Sequence, residues 1–170
     1  CALPIYGGIG LGMARALLQS GATVAIWGSN AGKTTHAREQ LADECAAGDR
    51  VHSFVCDVGD EAQVEHTFAT TLQALGGRVD ACFANAGVSG KGTTLVDMSL
   101  DEFRRVQRIN VEGVFLTLRA AARQMMAQGS GGSLAVTSST AALEGAARNS
   151  HYGASKGAVS SDRKSTRLNS

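Results

Sequence analysis

The feature that most constrains this chain is an alternation of period. Short apolar runs rich in β-branched residues take turns with longer stretches of helical spacing along its length. Ala22–Trp27, Val51–Val55, Val79–Ala84 and Ser133–Thr137 read as buried strands. Leu11–Ser20, roughly Lys33–Ala46, roughly Glu61–Leu75 and roughly Leu100–Gln128 carry helical patterns between them. A helix after each strand returns the chain to the same end of the sheet, so the strands pair in parallel. The expected fold class is α/β, a doubly wound parallel sheet of Rossmann type. Stop signals agree, with Gly21, Gly48, Gly76 and Gly129 at the expected helix ends. Ser99-Leu100-Asp101-Glu102 has the pattern of a capping box and predicts a helix from Leu100.

Length and charge set the limits. The chain has 170 residues, enough for one domain with a hydrophobic core. Lys and Arg number 16 against 15 Asp and Glu, so no net field argues for nucleic acid or an anionic membrane. No apolar run approaches the ~20 residues of a membrane span. Cys45, Cys56 and Cys82 lack CxxC or Cys/His ligand spacing, which predicts neither a metal site nor a disulfide framework. A cytoplasmic setting is the default expectation.

Gly7-Gly8-Ile9-Gly10-Leu11-Gly12 opens the first helix. Glycines at a helix N-terminus let backbone N–H groups approach a pyrophosphate, which makes Gly8, Ile9 and Gly10 candidate dinucleotide contacts. The next strand closes on Trp27-Gly28-Ser29-Asn30. A carboxylate there would hold the adenosine ribose hydroxyls and repel a 2′-phosphate. Gly28 supplies none, so NADP is weakly favoured over NAD, with Ser29 beside the cofactor and Lys33 a possible phosphate partner. Gly28 to Thr34 also imitates a triphosphate-binding loop, but only three residues separate Gly28 from Gly32 where four are needed. A turn followed by a helix start is the expected reading.

Gly8-Ile9-Gly10, Asp57-Val58, Ala84-Asn85-Ala86-Gly87, Asn110, Ser139 and Tyr152-x-x-x-Lys156 follow in the order and spacing of the short-chain dehydrogenase/reductase family, which this chain resembles from about Gly7 to Ser160. The resemblance implies that Asp57 accepts a hydrogen bond from the adenine amino group while Val58 lines its pocket. It implies that Asn85, Ala86 and Gly87 lie beside the cofactor, with Ala84 where the family usually has Asn. Leu3 and Pro4 stand where the family's glycine motif has Thr and its first Gly. Asn110 is implied to hold a water in a proton relay.

Tyr152 and Lys156 are four residues apart and so share one helix face. A phenol ionises near pH ~10, too high for a general base in neutral water. A nearby ammonium favours the phenolate. Tyr152 is thus the expected general acid/base, and the resemblance adds that Lys156 holds the nicotinamide ribose hydroxyls. Ser139 is expected to hydrogen-bond the substrate oxygen and steady alkoxide charge, with Ser138 the weaker candidate. His36, His52 and His66 are expected to be solvated or packed. His151 abuts Tyr152 and could line the mouth of the site, a reading too weak to give it a role.

The expected function is interconversion of an alcohol and a carbonyl by hydride transfer to or from NAD(P). The alternatives are a non-catalytic, cofactor-binding regulatory relative or an inactive fragment of the enzyme. The expected partners are a small alcohol or ketone and, by resemblance, copies of the same chain in a homotetramer or homodimer. Read back into codons, residues 1–5 and 162–170 resemble a sequencing-library adapter. The expectation is a native domain over 7–160 with non-native ends. The first strand and the strands after Ser160 are then expected to be missing or replaced.

Overall fold

A computed structural model describes the backbone of Ala2–Pro4 and the whole of residues 8–161. The tail from 162 to 170, read above as non-native, lies outside the described residues, as do Tyr6 and Gly7. In chain order the elements are β1 (Ala2–Pro4), α1 (Gly8–Gln19), β2 (Val24–Gly28), α2 (Ala31–Cys45), β3 (Val51–Val55), α3 (Glu61–Ala74) and β4 (Ala81–Ala84). They continue as α4 (Leu100–Gln107), a π-helical turn (Arg108–Glu112), α5 (Gly113–Ala127), β5 (Ser133–Val136), α6 (Ala141–Glu144) and α7 (Ser150–Ser161).

All strand pairs are parallel, in the order β3-β2-β1-β4-β5. The sheet is therefore doubly wound, and its order reverses beside β1. The first strand's place is filled by Ala2–Pro4, which pairs with Ala25–Trp27 on one side and at Cys82 on the other. Ala2–Pro4 thus occupy the central position of the sheet, Pro4 included. The reversal point opens a crevice at the carboxyl ends of the strands, where ligands sit in sheets of this kind.

Alternation along the strands separates two cores. Val24 and Ile26 of β2 pack with Ala14, Leu18 and Leu41 of α1 and α2. Trp27 joins Phe68 of α3 and Ala121 and Met125 of α5. Its indole meets the Phe68 ring edge-on at 6.3 Å and donates to Thr71 Oγ1 at 2.8 Å, so the buried N–H is satisfied. Three helices begin on side-chain caps: Asn30, Asp60 and Ser99 accept the N–H groups of Lys33, Gln63 and Glu102.

Several expectations shift. With Asn30 as cap, α2 starts at Ala31, so Gly32 and Lys33 lie inside a helix and form no phosphate nest. That helix ends on Ala46 in the left-handed conformation at φ 46°, not at Gly48. β4 begins at Ala81; Val79 is instead tied by both backbone groups to the Gln128 amide at the end of α5. Met125 is buried on the apolar face of α5, while its neighbour Met126 is 68% exposed. Only half of the capping box forms, because the Glu102 carboxylate turns away to the Lys91 N–H and Arg105. The helix expected from Leu100 to Gln128 is interrupted by the π-helical turn, a feature that often marks function.

Candidate active site

The π-helical turn positions the first piece of the site. It directs Asn110 into the interior, where the side chain is 0% exposed. Asn110 Oδ1 accepts the Val88 N–H at 2.8 Å, and its Nδ2 donates to Val88 O and Ser155 Oγ, both at 2.9 Å. One amide thereby joins the segment after β4 to α7. Ser155 Oγ in turn donates to Tyr152 O at 2.8 Å.

Lys156 is 3% exposed and donates from Nζ to Thr137 O at 2.7 Å, bridging α7 to the end of β5. Burial pushes its ammonium below the ordinary lysine value of 10.5. Nζ stands 5.9 Å from the centre of the Tyr152 ring. A Cβ placed on Gly87 would come within 3.3 Å of both Asn110 Oδ1 and Lys156 Nζ. The two polar groups therefore converge closely on the Gly87 backbone. Tyr152 itself is half-buried.

Ser139 and Ser138 separate by what they touch. Ser138 Oγ lies 2.6 Å from Ser160 Oγ and 3.3 Å from Lys156 O, which fastens the loop to α7. Ser139 Oγ accepts the Ala141 N–H at the start of α6 and is half-buried. The short α6 lies tight on α7 beside Tyr152, since a Cβ on Gly153 would sit 3.2 Å from Ala141 O.

Trp27, Gly28, Ser29, Cys56, Asp57, Val58, Ala86, Gly87, Val88, Arg105 and Ile109 enclose a cleft of about 260 Å³. Five of the expected cofactor contacts, Ser29, Asp57, Val58, Ala86 and Gly87, line it. Asn85 is outside this lining and accepts from Thr137 Oγ1 at 2.7 Å. Gly8, Ile9 and Gly10 form the first turn of α1 outside this lining, with Ile9 exposed and Gly10 buried. The cleft suits a flat, largely apolar ring with a polar edge: apolar walls, a carboxylate at the rim and the bare Gly87 backbone leading to Lys156. It fits the adenine end of a dinucleotide.

Sequence reading missed several supports. Arg108 pairs with Asp57 Oδ2 at 3.0 Å while the Gly59 N–H holds Oδ1, so the carboxylate is fixed on both sides. Gly59 is needed there, because a Cβ would fall 2.6 Å from the Arg108 guanidinium. Likewise Gly113 lets α5 close on Val58, whose Cγ2 would lie 2.7 Å from an added Cβ. A lone glycine carries no such signal; only the neighbour across the fold supplies it. Thr137 and Ser155 were also unmarked. Among the described residues there is no group of three or more His, Cys, Asp or Glu that could hold a metal ion, and no helix is long and apolar enough to cross a membrane.

Comparison with known proteins places this geometry. The family model for short chain dehydrogenases matches residues 5–169. A 2,5-dichloro-2,5-cyclohexadiene-1,4-diol dehydrogenase of Sphingobium indicum is 36% identical over 157 residues, covering 90% of this chain and 59% of its own length. An L-rhamnose 1-dehydrogenase (NAD(P)(+)) of a Sphingomonas species is 34% identical over 95% of this chain and 62% of its own. The crystal structure of NAD+-bound xylitol dehydrogenase superimposes with a TM-score of 0.89 at 33% identity, covering 95% of this chain and 60% of that one. The chain thus spans about three-fifths of the relatives it matches. It belongs to the short-chain dehydrogenase family.

Proposed function

We propose that the protein interconverts an alcohol and a carbonyl on a small molecule, using NADP(H) or NAD(H), with Tyr152 as general acid/base. The observation that carries this reading is the convergence of buried Asn110 and Lys156 beside the Tyr152 ring at Gly87. A buried lysine whose ammonium is destabilised by burial gives up and regains a proton readily, as a relay requires. The nicotinamide cofactor, when bound, supplies the hydride acceptor or donor.

In the oxidising direction Tyr152 takes the proton of the substrate hydroxyl. In reduction it returns a proton to the forming alkoxide. Ser139 donates to the same substrate oxygen and steadies its developing charge. Lys156 favours the phenolate by its charge and holds the nicotinamide ribose. Asn110 keeps the path from Lys156 to solvent in register through Val88 and Ser155. Asp57, fixed by Arg108 and Gly59, reads the adenine edge, with Val58 against the ring. Gly8, Ile9 and Gly10 at the start of α1 take the pyrophosphate. NADP is weakly favoured, because β2 ends on Gly28 and the following Ser29 and Asn30 bring no carboxylate. The active assembly is proposed to be a homotetramer or homodimer.

A non-catalytic cofactor sensor would have no use for a buried lysine and asparagine behind a tyrosine. The deciding experiment measures NADPH- and NADH-dependent reduction of a panel of ketones by the wild type and Tyr152→Phe. Loss of turnover with retained cofactor binding supports the reading. Turnover that survives the substitution overturns it.

A further inference from the structure

His151 has no part in that mechanism, yet its ring is fully buried and neither Nδ1 nor Nε2 has a hydrogen-bond partner. Two unpaired ring nitrogens in an interior are costly and call for an explanation. The ring lies against the segment leaving β4: a Cβ on Gly90 would fall 2.2 Å from His151 Nε2 and 2.8 Å from its Cδ2. Gly90 has a φ of 76°, so both its backbone and its missing side chain accommodate the ring. The same point lies 2.9 Å from Val106 Cγ2, which closes the pocket on the α4 side.

One charged group faces the ring at close range. Glu102 Oε1 stands 3.9 Å from His151 Nε2, too far for a hydrogen bond and near enough for a strong attraction if the ring is charged. This oxygen already accepts the Lys91 N–H at 2.7 Å and an Arg105 N–H at 2.9 Å. Those donors, with Arg105 on the second oxygen, hold the carboxyl down to about 2, so it is an anion throughout the neutral range. Around the ring, α4 contributes Glu102 and Arg105, and the segment after β4 contributes Lys91, whose side chain is exposed. On α7 the ionisable neighbours are Tyr152 and Lys156, the latter bonded to Thr137 O. From the end of α4, Gln107 donates to His151 O and fixes the backbone beneath the ring. Glu102 is thus the one carboxylate among them.

We propose that His151 is a proton-operated positioning residue: on taking a proton from solvent, its Nε2–H closes on Glu102 and fastens the Gly90–Lys91 segment to the helix that carries Tyr152. Glu102 is the hub, since one carboxylate then holds α7 through His151, the segment after β4 through Lys91, and Arg105 at the cleft wall. What the latch serves rests on the proposed role of Tyr152, while the latch itself does not.

The test is an amide and imidazole NMR titration of the whole chain from pH ~8 to ~5, the range in which histidine changes charge. The His151 ring and the amides of Gly90 and Lys91 are expected to move together with one midpoint. Glu102→Gln removes the anion facing the ring and is expected to move that midpoint downward. Tyr152→Phe is expected to keep the coupled titration while losing proton transfer, which separates failure of the latch from failure of the proposed activity. His151→Gln is expected to abolish the movement of Gly90 and Lys91. A ring that does not titrate in this range, loop amides that stay flat while it does, or an unchanged midpoint in Glu102→Gln would each overturn the proposal, and the wild-type and Glu102→Gln titrations suffice if His151→Gln does not fold.

Discussion

The two ends of the proposed site are built on opposite principles. At the adenine end, Asp57 and Arg108 form an ion pair whose side chains keep 35% and 41% of their exposure. At the proton-transfer end, Asn110, Ser155 and Lys156 are buried, and their polar atoms are bonded to backbone carbonyls, an amide and one another. A half-solvated pair exchanges protein for water at little cost and can be altered piecemeal. A buried network has no such freedom, because removing one member strands its partners out of reach of water. The difference teaches that the proposed recognition and the proposed chemistry rest on separate supports: the first adjustable, the second all-or-none.

Substituting Lys156 by Met is the harshest challenge to that contrast. It removes the charge near Tyr152, the bond to Thr137 O and the proposed ribose contact together. Ketone turnover is expected to fall by about 10³-fold, the scale of losing acid–base catalysis. Steady-state rates check it, and a change within tenfold would break the comparison.

Asn110→Leu probes the same end through stability. It leaves the Val88 N–H and C=O and the Ser155 hydroxyl without their partner. A loss of ~3 kcal/mol is expected from stranding several buried groups, read as a lower urea midpoint at unchanged slope. Arg108→Met makes the matching change at the adenine end. Stability should move by no more than ~0.5 kcal/mol, since the pair is exposed. Dissociation of NADPH should rise several-fold with kcat unchanged, measured by fluorescence titration and steady-state kinetics. Equal effects from these two variants would erase the contrast.

The smallest effect concerns Glu102, between the two ends. Arg105 and the Lys91 N–H hold its carboxyl at about 2, below the ordinary value of 4.5. A depressed carboxyl stabilises the fold above the unfolded value and loses that contribution as pH falls through the folded one. Wild-type stability should therefore decline between pH 4.5 and about 2 more steeply than that of Glu102→Gln. Thermal melts across that window check it.

Much of this was legible from local pattern. Strand and helix order came through because period 2 and period 3.6 are written residue by residue, and the caps at Ser99 and the glycine at Gly76 act within a turn. The Tyr152–Lys156 pairing was equally readable, since four residues along a helix set the shared face. Glu102 was misread for the converse reason. Its spacing from Ser99 satisfies a capping box, yet Lys91 from another segment and Arg105 one turn along the same helix offered better donors. The end of α2 at Ala46 shows the same limit, with the left-handed turn taken by a residue that no local preference selects.

What the sequence determined by itself is the architecture and the kinds of side chain available to the site. What only the tertiary structure decided is which of them meet. The π-helical turn that drives Asn110 inward has no proline or glycine within it to announce it. Arg108 reaches Asp57 across 51 positions, and Asn110 reaches Ser155 across 45. Gly90 and Gly113 are fixed by what an added methyl would strike in another element. Backbone preference acts over a few residues and is spelled out along the chain; steric exclusion and the pairing of buried charge act through space, and exist only once the sheet has brought distant segments together.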